Sequence, residues 1–400
     1  MLKNEIDFPV FDADNHMYET KDAFTKFLPK EYAGLIKYVQ VNGRDKIAVR
    51  GVISEYIPNP TFSVAARPGA WEEYYKNGNP EGKTTREMSG EPIRSPEAFF
   101  APEPRLALMD ELGIDRALMW PTLASLLEDR LRMDPKGTHA VIHALNQWMH
   151  EQWTFNFANR IFASPVITLP IVSEAIKELE WVVERGAKVI LIRPAPVPGY
   201  EGFRSFALPE FDPFWQRVVE ADIAVGLHGS DDGRTRQYNL WEGKTEGEFL
   251  PFATPSAFLD IMHTQSRGIF DTVASMIGHG LLSRFPTLRM MPVENGSGWV
   301  RPLVDALGTS YAHNPKLYAE DPVGVLKRNV WIHPFHEEDP RGLIKLVGVD
   351  RVVFGSDYPH PEGMSEPLAY VDELDGLPRE DVARVMGGNL AEVVKVPVAV

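Results

Sequence analysis

The sequence predicts an α/β protein folded as one (β/α)8 TIM-like barrel, and three observations carry that expectation. Eight short apolar runs rich in Val, Ile and Leu recur along the chain, most of them followed by a segment of helical periodicity. Strands that alternate with helices build parallel βαβ units rather than a sandwich. No GxGxxG or GxxxxGK[ST] follows any run, which removes the phosphate-cradling loops of an open doubly wound sheet. Finally, several runs end in carboxylates or imidazoles, and a barrel brings such strand ends to one rim.

In chain order the predicted strands are Phe8–Asp12, Arg116–Trp120, Phe162–Leu169, Lys188–Ile192, Ile223–Leu227, Leu288–Val293, Asn329–Ile332 and Arg351–Phe354. Segments such as HALNQWMHEQWTFNFANR and VSEAIKELEWVVERG place apolar residues at helical spacing and supply the crossovers. Two insertions interrupt the alternation. The first, about residues 17–105, contains IKYVQVNGRDKIAVRGVISEYI, where Asn42-Gly43 between alternating segments predicts a β-hairpin. It continues into a stretch rich in Pro, Gly, Arg and Glu that reads as a long loop. The second, about residues 230–260 after the fifth strand, also reads as a long loop. Both leave the barrel on the side where barrel active sites are built.

Composition narrows the function classes. The 400 residues fit a single elaborated barrel domain spanning 1–400. Lys plus Arg number 41 against 56 Asp plus Glu, a net charge of −15, and no basic run occurs. A nucleic-acid or anionic-membrane footprint is therefore missing, and a small-molecule substrate is expected. With no cysteine, thiolate nucleophiles, redox CxxC motifs and Zn–Cys clusters are excluded, so any metal must bind through His and carboxylates. The N-terminal residues carry charges where a signal peptide needs an apolar run, which predicts a cytoplasmic protein.

The strand ends hold the chemistry. The first run continues into Asp12-Ala13-Asp14-Asn15-His16, so Asp14 and His16 project to one face if the strand continues, and can grip one ion. The fifth run ends at His228, the sixth at Glu294 and the eighth at Asp357. Two imidazoles with up to three carboxylates suit Zn, Mn or Fe, with one ion expected ahead of two, although Asp14, Glu294 and Asp357 together could bridge a pair. A single DxDxH or strand-end His is often only a turn or a hydrogen-bonded structural group; four such ends on one rim are harder to read that way.

FDADNH, the HGS after an apolar strand, RFPTLRMMPVENGSGW and above all VVFGSDYPHPEG resemble the amidohydrolase-related family, in the branch that contains aminocarboxymuconate-semialdehyde decarboxylase. The resemblance covers nearly the whole chain apart from the two insertions. It implies a divalent metal held by an HxH pair after the first strand, a His after the fifth and an Asp after the eighth. Here Asp14 and His16 take the HxH places, His228 the fifth-strand place and Asp357 the eighth. The sequence departs from the family pattern twice: Asp14 replaces the first His, and Glu294 stands where decarboxylases of the family place a His beside the metal. Glu294 is a candidate ligand or proton acceptor.

The expected activity is non-oxidative decarboxylation of a small unsaturated or aromatic carboxylic acid. Alternatives are hydrolysis of an ester, amide or lactone by metal-activated water, a non-haem iron oxygenase, and a non-catalytic metal-binding barrel. Glu294, His228 and His333 are the candidates for proton transfer. Arg193, His336 and His360 are candidates for substrate contact, with His360 also placed to support Asp357. Arg193 can orient a carboxylate bidentately or merely cap the rim by a salt bridge. His279 belongs on a helix outside the barrel. The resemblance implies a homodimer.

Overall fold

The computed structural model describes residues 6–397 apart from 55–56, 58, 125–126, 245–255 and 264–265. The first barrel strand, Phe11–Met17, lies parallel to Arg116–Pro121, which pairs in turn with Ile161–Ala163. A bridge from Val166 to Leu191 carries the sheet to Val189–Leu191, next to Ala224–His228 and then Met290–Val293. Parallel bridges Met290–Val330 and Ile332–Val352 add the seventh and eighth positions. The ring closes where Ala13 N–H donates to Phe354 O (2.9 Å) and His16 N–H to Tyr358 O (2.8 Å). The predicted barrel is therefore present, with all eight positions in the predicted order.

Four strands differ from expectation. The first begins later and runs on through Met17, with a register irregularity between Asp12 and Asn15. Its polar residues are affordable in a strand because the neighbouring loops hydrogen-bond them, as described below. The third is only Ile161–Ala163, because Pro165 has no N–H to continue the ladder. The seventh and eighth are single bridges: a 3-10 turn over Val349–Arg351 runs directly into Val352, and Gly355 follows two residues after Val353.

The barrel interior is filled by side chains. Trp120 is fully buried and donates its indole N–H to Ala13 O at 2.8 Å. A Cβ on Gly226 would lie 2.2 Å from the Trp120 ring, so the fifth strand has no room for a side chain there. Trp148, Trp153 and Phe155, from the segment read as core, are all buried.

In the first insertion Ile36–Val41 pairs with Arg44–Val49 across Asn42 (φ 50°) and Gly43 (φ 74°), the two-residue turn that the sequence predicts. Val52–Ser54 adds a third strand, and Val64–Ala65 pairs with Ile93–Arg94. The expected long loop between them is corrected: it contains helices Glu72–Asn77 and Thr85–Ser89, the latter started by a reciprocal Thr84/Glu87 capping box. The second insertion is corrected likewise, with helices Thr235–Trp241 and Ala257–His263. Its central part, 245–255, lies outside the described residues. Among the described residues no helix is long and apolar enough to cross a membrane.

Candidate metal centre at the barrel mouth

All seven residues of the first strand are buried, and its alternation sends Asp14 and His16 toward the mouth. Asp12 has a different task. Its carboxylate accepts from Asp14 N (2.9 Å), Asn15 Nδ2 (2.7 Å), Ser356 N (2.9 Å) and Ser356 Oγ (2.5 Å), tying the end of the first strand to the loop after the eighth. Burial pushes this carboxyl up to about 7 in spite of those bonds. Arg105, fully buried, donates to Ala98 O, Asn15 Oδ1 and His16 O (2.8, 2.8 and 2.5 Å) and fixes the same strand end from the other side.

Five of the predicted residues meet. His16 Nε2 lies 3.3 Å from Asp14 Oδ1, 3.3 Å from Glu294 Oε2 and 3.4 Å from Asp357 Oδ1. His228 Nε2 lies 3.3 Å from Asp14 Oδ1 and 3.2 Å from Glu294 Oε2. Glu294 and Asp357 reach in from backbone of positive φ, 53° and 55°, a conformation that non-glycine residues adopt at a cost and that collects at functional sites.

His228 Nδ1–H donates to Gly229 O (3.0 Å), and Thr122 Oγ1, which gives its own proton to Met17 O (2.9 Å), faces His16 Nδ1 at 3.4 Å. This network engages Nδ1 of both rings and leaves their Nε2 atoms facing the carboxylate oxygens. Burial penalises charge on His16, yet the carboxylates of Asp14 and then Glu294 beside it raise its pKa to about 9. Asp14 is likewise opposed by burial, but His16 and His228 hold it far below the usual carboxylate range. Burial, then the charges of Glu294 and Asp14, push Asp357 well above that range. The pocket is thus strongly negative and attracts either protons or a cation.

The residues fit a metal. Asp14 Oδ2 and His16 Nε2 are buried without a hydrogen-bond partner, an expensive arrangement for a site meant to stay empty. Donor atoms 3.2–3.4 Å apart form the edges of a polyhedron whose centre lies roughly 2.0–2.3 Å from each, the length of a Zn–N or metal–carboxylate bond. Among the described residues the two groups able to hold an ion, Asp14–His16–His228–Glu294 and His16–Glu294–Asp357–His360, share His16 and Glu294.

His360 sits closer in than substrate contact requires. Its Nδ1 is 2.7 Å from Asp357 Oδ1, its Nε2 3.3 Å from Thr122 Oγ1, and its ring centroid 4.0 Å from that of His16, the planes tilted by 34°. Burial, then the neighbouring His16, push this imidazole well below its ordinary pKa. His333 stands behind the cluster: Nε2 faces Gly355 O (3.1 Å), while Nδ1 accepts from Glu294 N (3.3 Å) and lies 3.3 Å from Asp14 Oδ2. His336 is not brought to the centre by any described contact. It is buried against the first insertion, near Glu72 and 3.5 Å from Glu337, and burial takes it down to about 4. Arg193 is buried beside Asp129 at 3.6 Å. His279 is exposed at the end of helix Arg267–Gly278, as expected.

Sequence reasoning missed Thr122, Glu19 and Glu362. Thr122 ends the second strand and obeys the strand-end rule that found the others. Glu19 accepts from Leu123 N (2.7 Å) and Ala124 N (3.3 Å), while burial raises it to about 7; nothing in the sequence separates it from an ordinary surface Glu. Glu362 lies within the GSDYPHPEG motif, and burial followed by the charge of Glu294 raises it to about 7.

A closed parallel barrel with a carboxylate–imidazole cluster at the C-terminal rim defines the class: a (β/α)8 protein with a site able to hold a metal. The sequence profile of the amidohydrolase family matches residues 55–396, and this chain belongs to that family. An amidohydrolase from Mycobacterium avium subsp. paratuberculosis K-10 is 35% identical over 97% of this chain and 100% of its own, with a TM-score of 0.91. Two more distant structures share the fold. One is 5-carboxyvanillate decarboxylase from Novosphingobium aromaticivorans DSM 12444, complexed with manganese and 4-hydroxy-3-methoxy-5-nitrobenzoic acid (16% identity, 98% and 97% of the two chains, TM-score 0.59). The other is dihydroxybenzoic acid decarboxylase from Polaromonas sp. JS666 with bound manganese and 2-nitroresorcinol (14% identity, 97% of each chain, TM-score 0.56).

Proposed function

We propose that this chain is a metal-dependent carboxy-lyase that removes CO2 from a small unsaturated or aromatic carboxylic acid. The observation that carries the reading is the constellation of Asp14, His16, His228, Glu294 and Asp357, with Asp14 Oδ2 and His16 Nε2 left without hydrogen-bond partners. Because the two possible ligand groups overlap in His16 and Glu294, we assign one ion, with manganese or zinc the best match to two imidazoles and several carboxylates. Both decarboxylases that share the fold and are described above were crystallised with manganese.

A bound divalent ion would hold the substrate carboxylate or an adjacent oxygen and stabilise the negative charge that develops as the carbon–carbon bond breaks. The carbon that loses CO2 must then receive one proton. We assign that proton to the Asp357–His360 pair, whose 2.7 Å contact keeps one beside the centre. His333 is less suited, since Gly355 O and Glu294 N already engage its two nitrogens. Thr122, Arg105 and Asp12 keep the strand ends in place while this happens.

A second reading, hydrolysis, is favoured by one observation. The Glu294 side chain retains 22% exposure while its oxygen faces both imidazoles, so it can take a proton from a water arriving through the mouth. Manganese-loaded protein offered a panel of hydroxybenzoates and unsaturated carboxylic acids is expected to release CO2, and to stop doing so in chelator. Turnover of esters, amides or lactones without CO2 from any acid would overturn the decarboxylase reading in favour of the hydrolase.

A further inference from the structure

Glu19 is wholly buried but belongs to neither ligand group. A carboxyl taken out of water is costly unless hydrogen bonds compensate it. One of its oxygens accepts from Leu123 N (2.7 Å) and Ala124 N (3.3 Å), and the other has no hydrogen-bond partner. Register explains the meeting. Met17 lies opposite Pro121 at the ends of the first and second strands, so Glu19, two residues beyond the first, comes beside Leu123, two residues beyond the second. The carboxyl thus holds the turn whose first residue is Thr122.

Thr122 has three neighbours and one hydroxyl with which to serve them. The hydroxyl gives its proton to Met17 O (2.9 Å), so toward His16 Nδ1 (3.4 Å) and His360 Nε2 (3.3 Å) it can act only as an acceptor. A hydroxyl oxygen has two lone pairs, and two ring N–H groups fill them. His16 protonated on Nδ1 keeps Nε2 bare, the form a metal ligand must take. His360 protonated on Nε2 turns Nδ1 toward Asp357 Oδ1, 2.7 Å away, and leaves that nitrogen able to accept the one proton assigned to the pair.

We infer that the Thr122 hydroxyl sets the tautomers of His16 and His360 together, and that Glu19, from outside the ligand set, is the positioning residue that keeps this hydroxyl between the two rings. Without the hydroxyl each imidazole is free to take either tautomer. Without Glu19 two N–H groups of the turn lose their acceptor and Thr122 loses its fixed place. This inference rests on the metal-centre reading above.

The test is zinc affinity by chelator competition, with melting temperature alongside, for wild type, Thr122→Val, Thr122→Ser, Glu19→Gln, Glu19→Met and the double variant that joins Thr122→Val with Glu19→Met. Thr122→Val keeps the shape and loses the hydroxyl, and should weaken zinc binding by about 10–100-fold. Thr122→Ser and Glu19→Gln keep the hydroxyl and the acceptor oxygen, and should bind as wild type does. Glu19→Met should weaken binding, and the double variant should be no weaker than Thr122→Val alone, because Glu19 acts through that hydroxyl. Proton–nitrogen correlation spectra of isotope-labelled, zinc-loaded protein, with the His360 signals identified by their loss in His360→Gln, should show Nε2 protonated in wild type and Thr122→Ser. In Thr122→Val they should show a mixture of tautomers. Wild-type affinity in Thr122→Val, an additive loss in the double variant, or a bare Nε2 on His360 in wild type overturns the inference and leaves the metal-centre reading standing. Failure of wild type to bind zinc overturns both.

Discussion

Asp14 faces three imidazoles: His16 and His228 on one oxygen, and His333 near the other. Its removal takes away a shared donor and leaves the imidazoles without their common counter-charge. Asp14→Ala is therefore expected to lose stoichiometric metal. His333→Ala removes only a group that stands behind Asp14, and should weaken metal affinity by about 10–100-fold without abolishing it. Competition with a chromogenic chelator distinguishes the two, and equal affinities would contradict the roles assigned. At this scale the sequence was legible wherever a polar side chain ended an apolar run, which is how Asp14, His16, His228, Glu294 and Asp357 were found. His336 lies four residues past such a run and packs near Glu72 of the first insertion. Arg105 reaches the site from a helix, and Glu19 from beyond a strand, so neither position carries a strand-end signal.

The elements that position these residues were legible in proportion to how local their causes are. The hairpin at Asn42-Gly43 needs only two residues of positive φ, and the capping box at Thr84 and Glu87 is equally readable, although a surrounding abundance of Pro and Gly hides it. The end of the first strand depends instead on hydrogen bonds from residues some 340 positions away, such as Ser356 to Asp12. Close packing inside the barrel is also non-local. Gly226→Ala places a methyl 2.2 Å from the Trp120 ring, in a wall that has no flexible end to move aside. The substitution is expected to cost about 1–3 kcal/mol in a denaturant titration, and more if the indole loses its bond to Ala13 O. No change in midpoint would show that the fifth strand can shift.

For the molecule as a whole, stability responds to protons and to metal by different groups. His139 Nε2 accepts the Ile171 N–H (3.1 Å), and burial pushes the imidazole down to about 4, below the usual value near 6.5. A depressed folded-state pKa means that its contribution is complete above pH 6.5 and is lost as pH falls toward 4. His139→Gln should accordingly be less stable than wild type at pH 7.5, with the gap in melting temperature narrowing as pH drops to 4.5; a constant gap would refute this. Metal acts by preferential binding to the folded state, so chelator should lower the melting temperature of wild type and leave that of Asp14→Ala unchanged. Alternation of runs and helices sufficed to predict the eightfold closure, because the barrel is a global consequence of repeated local units. Apart from the hairpin at Asn42-Gly43, the helices of the two insertions, and hence the shape of the pocket above the rim, were not read from the sequence.

The central claim is that the mouth of this barrel is a metal centre, and elemental analysis of protein purified without added metal tests it most directly. The account predicts about one manganese, zinc or iron per chain in wild type, with none retained by Asp14→Ala and a full complement in His279→Ala. Wild-type protein that holds no divalent ion and takes none up, or equal metal content in wild type and Asp14→Ala, would contradict it.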